Sequence, residues 1–373
     1  MSEELVYDAF VNWFRTAGMH LPDTAALLPA IRARYSPDEA AFLTGFPTSA
    51  TGLTELAEMK AMPLEEIRAK VDALARKGVL FRSVHGDDTR YRLNDAFFVY
   101  LRSSFWKGDK SQETRALASA TNKYYYSGFF DDWKHVHHQG LRTLPINETI
   151  ADKREILPYE DVLKVIDSLE YHTVSICPCR HRKNMDPDSP DCEHPDEVCL
   201  HFGDLGRYCV ENGLGREITP DETRKILLKA AESGLVHGLS NWQEGADTIC
   251  NCCDCCCMWL EAHHVLGHDR ALSPSNYRVE GDSEKCIACW LCEERCPMHA
   301  VELEDSPLAN NSVGMVSVRD LAQCIGCGVC VVTCPVEALT LVRMEQTEDP
   351  PRDIREFVMR YMADRQAVHT TTR

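Results

Sequence analysis

The sequence predicts an α+β chain built in three parts, with a helical tail. Three observations lead there. The first 105 residues order as helix, helix and hairpin; all 19 cysteines lie beyond residue 176; and a twelve-residue cysteine run occurs twice near the C-terminus. The boundaries read as 1–105, 106–280, 281–345 and 346–373. A chain of 373 residues is too long for one simple core, which agrees with several parts.

In the first part, Ser49 to Ala61 reads as a short helix and Pro63 to Lys77 as a stronger one. The second starts on proline, carries Glu65 and Glu66 in its first turn, and repeats Ile67, Val71 and Leu74 on one face. Arg76 and Lys77 precede Gly78, which reads as its C-cap. Val79 to Phe81 and Tyr91 to Leu93 read as strands around a turn at His85-Gly86-Asp87-Asp88. This pattern resembles the winged helix-turn-helix domains of prokaryotes. The resemblance implies operator DNA as a partner for the 63–77 helix. Charge argues the other way: residues 1–110 hold 14 Lys+Arg against 15 Asp+Glu, so the excess that supplies DNA affinity is missing. A protein-interaction or scaffolding role is the expectation.

The whole chain carries a formal charge of −18, nearly all of it beyond residue 110. Such a body disfavours nucleic acid and anionic membrane and suits a basic partner, though a plain soluble surface has the same composition. The first 22 residues show neither a basic n-region nor an apolar h-region, and no stretch approaches about 18 apolar residues. The expectation is a cytoplasmic chain without a membrane span. In a reducing compartment its clustered thiols read as metal ligands rather than disulfides.

Residues 106–170 read as a connector. Tyr124, Tyr125, Tyr126, Phe129, Phe130 and Trp133 are followed by His135, His137 and His138. No cysteine or regular ligand spacing accompanies these histidines, so packing or a partner surface is the reading. Pro158 to Leu169 is expected as a helix, and Thr173 to Ile176 as a strand leading into the first cysteines.

The middle part holds eleven cysteines: Cys177, Cys179, Cys192, Cys199, Cys209, Cys250, Cys252, Cys253, Cys255, Cys256 and Cys257. Six thiols in eight residues would repel and oxidise unless a metal neutralised them. Cys177, Cys179, Cys192 and Cys199, with four of the last six, suffice for two [4Fe–4S] clusters. One cluster with spare thiols fits as well, and zinc stays open because thiolates alone do not select the metal. Thr219-Pro220-Asp221-Glu222 reads as a capping box starting a helix to Gly234, expected to draw the two ends of the cysteine set together. His181, His201, His237, His263 and His264 read as hydrogen-bonded structural residues, with His237 the best functional candidate. No Walker loop or G-x-G-x-x-G fingerprint occurs.

In the third part, Cys286-Ile-Ala-Cys289-Trp-Leu-Cys292-Glu-Glu-Arg-Cys296-Pro297 recurs as Cys324-Ile-Gly-Cys327-Gly-Val-Cys330-Val-Val-Thr-Cys334-Pro335, offset by 38. Ala300, Val301 and Leu303 return as Ala338, Leu339 and Leu341. This is a duplication with the spacing of bacterial ferredoxin runs. Two four-cysteine runs each closing on Cys-Pro are not the two ligand pairs of a zinc site. The resemblance to dicluster ferredoxins implies one [4Fe–4S] cluster on Cys286, Cys289, Cys292 and Cys334. It implies a second on Cys324, Cys327, Cys330 and Cys296. Two departures stand out: Trp290 replaces a small residue, and residues 304–315 lengthen the link between the halves.

From Leu157-Pro-Tyr through Cys177 and Cys179, Cys192, Cys199, His237, Asn241 and Ile249-Cys-Asn-Cys-Cys to the duplicated run, the chain resembles a broader family. These are the 4Fe-4S dicluster ferredoxin-domain iron–sulfur proteins of anaerobic bacteria and archaea; the resemblance spans about residues 140–343. It implies electron transfer with a redox partner protein or oxidoreductase subunit. Two alternatives stay open. One is a redox enzyme with a substrate-binding cluster within 177–257; the other is a cluster-containing redox-sensing transcriptional regulator.

Overall fold

The computed structural model describes residues 2–17, 21–93, 102–131, 136–146, 149–152, 156–157, 160–268 and 272–371. Helix and strand are mixed throughout, as an α+β chain requires. The chain forms two compact units, each discontinuous in sequence. One comprises residues 1–133, 173–197 and 204–217; the other comprises 134–172, 198–203 and 218–373. This division cuts across the boundaries read from the sequence.

The first unit opens with helices Glu3–Thr16, Leu27–Arg34 and Pro37–Leu43. Phe10, Phe14 and Tyr35 are fully buried between them, and Ser36 closes a capping box with Glu39. The strand Thr51–Gly52 leads into helices Leu53–Lys60 and Leu64–Arg76 and the hairpin Leu80–His85 / Asp88–Leu93. The sheet order is Thr51–Gly52, Asp88–Leu93, Leu80–His85. The first expected helix is shorter because residues 51–52 pair with Tyr91 and Arg90 instead of coiling. The second has Pro63 as N-cap and buries Ile67, Val71 and Leu74, the apolar stripe of the sequence. Tyr91 fastens the hairpin to it by donating to Asp72 over 2.6 Å.

Helix Gln112–Tyr124 continues into a π-helical turn, Tyr125–Phe129. Tyr124, Tyr125, Phe129 and Phe130 are all buried, so most of the aromatic cluster is core; Trp133 and His135 lie outside the described residues. Helix Pro178–Met185 packs nearby, with Arg182 over the Tyr125 ring at 5.0 Å and Asp186 accepting from Ser119 and Asn122. Strand Thr173–Ile176 pairs with Arg216–Glu217.

In the second unit, strands run in the order Leu141–Leu144, Val236–Ser240, Thr248–Cys252, Glu197–His201. The helix expected over 158–169 spans Val162–Ser168. Asp161 starts it, accepting from the N–H groups of Leu163 and Lys164; Pro158 lies outside the described residues. Helix Pro220–Glu232 starts as read, with Thr219 accepting from Glu222 N–H, and ends before Gly234. Arg295 donates to its last carbonyl, Glu232 O, over 2.7 Å, a cation placed at a helix C-terminus.

The duplicated run is framed by two antiparallel pairs, Tyr277–Gly281 with Leu339–Arg343 and Val301–Asp305 with Met315–Arg319. Residues 304–315, read as a lengthened link, are thus the distal half of a hairpin. Glu160 locks the preceding segment onto this frame. Its carboxylate accepts from Asn276 Nδ2 (2.7 Å), Tyr277 OH (3.1 Å) and Arg343 (2.6 Å), and its side chain is 3% exposed. Helix Ile354–Thr371 closes the chain, with Phe357 against Trp242 and Gln243 N–H donating to Pro351 O. Among the described residues, no helix is long and apolar enough to cross a membrane.

Candidate metal centres

Each half of the duplication makes the same loop. Residues Ala288, Trp290 and His299 take positive φ (53°, 63° and 50°), and so do their counterparts Gly326, Gly328 and Glu337 (66°, 83° and 50°). Left-handed residues between helical ones turn successive backbone N–H groups to one side, a concavity suited to negative charge. Short helices Leu291–Glu294 and Val329–Val332 follow in each half. The fourth cysteine accepts a backbone hydrogen bond in each: Ala300 N–H to Cys296 Sγ at 3.3 Å, Ala338 N–H to Cys334 Sγ at 3.2 Å. Such bonds favour a thiolate.

One pocket is lined by Cys286, Cys289, Cys292 and Cys334, with Trp290 and Leu303 on its walls. Cys296, the fourth cysteine of the first run, lies instead among Cys324, Cys327 and Cys330 and shares their electrostatic field. Burial pushes the Cys292 and Cys296 thiols up, Cys327 up to about 12, and Cys330 well above its ordinary value. The crowding of the sulfurs adds to each of these shifts. Thiols so placed ionise only beside a strong positive charge, which iron supplies; the donor set and the N–H···S bonds fit a cubane cluster. The apolar cluster of Ile150, Ile156, Tyr277, Val279, Leu339 and Leu341 includes Cys330 and packs against Cys292, Cys324 and Cys334. Apolar side chains thus pack against cysteines of both sulfur sets. The sets differ in access: Cys289 is exposed and Trp290 is 43% exposed, whereas Cys327 and Cys330 are buried.

The middle cysteines fall into groups that sequence spacing did not reveal. Cys250 and Cys252 project from one face of strand Thr248–Cys252, and Cys257 caps helix Met258–His264. The Cys252 thiol is raised well above its ordinary value by hydrogen bonds with Cys250 and Cys257, and then by burial. Cys199 joins this neighbourhood, because the strand pairing runs through His201↔Thr248 and Leu200↔Ile249, one step short of Cys199 and Cys250. Cys253, Cys255 and Cys256 form a second group with sulfurs within 4.8 Å of one another, Cys255 to Cys256 being 3.6 Å. In the first unit, Cys177 caps helix Pro178–Met185, Cys179 lies in its first turn, and Cys192 is held by paired hydrogen bonds with Asn184. Cys209 is fully buried in helix Gly203–Glu211 and reads as core.

His237 is buried and fixed by Asn251, whose Oδ1 is 2.7 Å from Nδ1 and whose Nδ2 donates to Val198 O. Because Asn251 Oδ1 must accept, the His237 proton sits on Nδ1. His181, His263 and His264 each bond a backbone carbonyl, of Asp109, His268 and Pro297 respectively, as structural histidines do. His201 is buried in strand Glu197–His201.

Residues 285–339 match the family model described as a 4Fe-4S dicluster domain. The match covers the duplicated run and supports ferredoxin-type 4Fe-4S binding there. No curated protein and no solved structure matches the chain significantly.

Proposed function

We propose that this chain is an iron–sulfur electron-transfer protein that relays single electrons between a redox partner and the cysteine-rich middle. The observation that carries the reading is the exchange of fourth cysteines, Cys334 into the pocket of Cys286, Cys289 and Cys292, and Cys296 among Cys324, Cys327 and Cys330. Those are the two ligand sets proposed. A [4Fe–4S] cluster supplies one-electron exchange with little rearrangement. The chain's part is to hold the sulfurs, direct N–H groups at them, and pack apolar side chains against them.

The exposed edge at Cys289, Trp290 and Ile287 is the proposed docking point for the partner. In the middle, Cys199, Cys250, Cys252 and Cys257 are proposed to hold one further cluster. Cys253, Cys255 and Cys256 remain proposed metal ligands, and so, in the first unit, do Cys177, Cys179 and Cys192. The helix-and-hairpin order of the first unit, with its sheet order, supports a winged-helix reading. Helix Leu64–Arg76 sets Arg68, Lys70 and Arg76 against Glu65, Glu66 and Asp72, which favours a protein partner over DNA.

The test is metal content. Anaerobically prepared protein should carry at least eight iron and eight acid-labile sulfide per chain from the duplicated run alone. Stoichiometric zinc with under four iron after reconstitution would overturn the proposal.

A further inference from the structure

The histidine pair before strand Leu141–Leu144 acquires carboxylates from the C-terminal tail. Glu348 Oε1 lies 2.6 Å from His137 Nε2. Asp364 Oδ2 accepts the His138 backbone N–H at 2.8 Å and lies 2.8 Å from His138 Nδ1. Donor atoms of His137, His138 and Glu348 all fall within 4.8 Å of one another. The two imidazole centroids are 4.9 Å apart with planes at 81°. Two imidazoles sharing an ion, each bonded at about 2.1 Å, would place their centres roughly 4.5–5.2 Å apart. The spacing fits.

Ion pairing alone explains less. A pair as exposed as His137 and Glu348, at 45% and 61%, stabilises little and has no need of a second imidazole beside it. His138 and Asp364 are more enclosed, at 16% and 20%, and a carboxylate on Nδ1 is how a ligating histidine is usually oriented. That contact leaves Nε2 for a metal. His137, His138 and Glu348 also line a cavity of about 340 Å³ whose walls include buried Arg142, Thr143 and Asn241.

We propose that His137, His138 and Glu348 bind one divalent transition-metal ion at the mouth of this cavity, separate from the cysteine centres. Asp364 is a positioning residue acting through His138. Two histidines and one carboxylate leave coordination positions for a small molecule from the cavity.

Nickel(II) is the probe, since iron–sulfur clusters of this type contain none. Cluster-loaded full-length protein is dialysed anaerobically against nickel(II), and nickel and iron are counted. Wild type should hold one nickel per chain more than Glu348→Gln or the double variant His137→Ala/His138→Ala. Asp364→Asn should keep the site with affinity weakened about 10–100-fold. Iron should stay the same in all four proteins, so a failure here is distinguishable from a failure of the cluster assignment. Equal nickel in wild type and Glu348→Gln, or no uptake at about millimolar nickel, overturns the proposal. If a variant loses iron through misfolding, nickel-edge X-ray absorption on wild type decides. Two imidazoles in the first shell support the site, and a sulfur-only shell refutes it.

Discussion

Replacing Gly326 with alanine should remove the cluster proposed on Cys324, Cys327, Cys330 and Cys296 while sparing the other. A β-carbon at this position would lie 2.1 Å from Tyr277 O and 2.3 Å from Ser275 Oγ. The serine can rotate. The tyrosine carbonyl cannot, because Tyr277 begins the strand paired with Leu339–Arg343. The left-handed backbone is not the obstacle by itself, since Ala288 holds the equivalent position in the first half at φ 53°. It adds about 1 kcal/mol, and forcing the loop outward adds about 1–3 kcal/mol. The outward shift also breaks the bonds from Ser275 Oγ to Gly326 O and from Ile146 N–H to Cys327 O. Roughly 2–4 kcal/mol is thus concentrated on the segment between two ligands. Iron per chain after anaerobic purification should fall by about four relative to wild type. Gly86→Ala is the control: its φ is +62° and nothing lies within 4 Å of the added carbon, so it should cost about 1 kcal/mol and no iron. Full iron in Gly326→Ala with an unshifted unfolding midpoint would refute the reasoning.

Three further outcomes are expected. Cys252, Cys253, Cys255 and Cys256 changed together to serine should lower iron by a multiple of one cluster and leave the EPR signals of the duplicated run; lost zinc with unchanged iron would make the middle a structural zinc site. Glu160→Gln should strand Arg343 beside a neutral partner and destabilise by about 3 kcal/mol, read as a lower urea midpoint; an unchanged midpoint would mean the network does not fasten the connector. DNA of random sequence should bind weakly at physiological salt, and tight binding lost on Arg68→Ala or Lys70→Ala would promote the regulator reading.

Legibility followed the range over which each feature is specified. The duplicated run and the helices begun at Pro63 and Thr219 were readable because ligand spacing and caps are local. The helix expected over 158–169 starts later, at Val162, because the Asp161 carboxylate supplies the N-cap. Cys199 beside Cys250 depends on a strand register between segments about 50 residues apart, and spacing along the chain carries no trace of it. The histidine pair reads as packing or a partner surface in the sequence because its carboxylates arrive 211 and 226 residues later. No local pattern could have supplied them.

The two proposed cluster sites should differ in potential, and the structure gives the sign. Adding an electron makes a thiolate-ligated cluster more negative, and burial in a low-dielectric surrounding opposes that. Cys327 and Cys330 are buried, Cys330 within the apolar cluster, whereas Cys289 and Trp290 are exposed. The set around Cys327 should therefore reduce at the more negative potential, and the exposed set should fill first. Hydrogen bonds to the two fourth cysteines are nearly equal in length, so they do not reverse this order. Trp290→Gly opens the exposed set further, while its φ of 63° suits glycine without rearrangement. An EPR-monitored redox titration should show two waves, with the more positive one alone moved upward in the variant. A shift of the more negative wave instead would mean that access is governed from the other face, and the docking edge at Trp290 would fall with it.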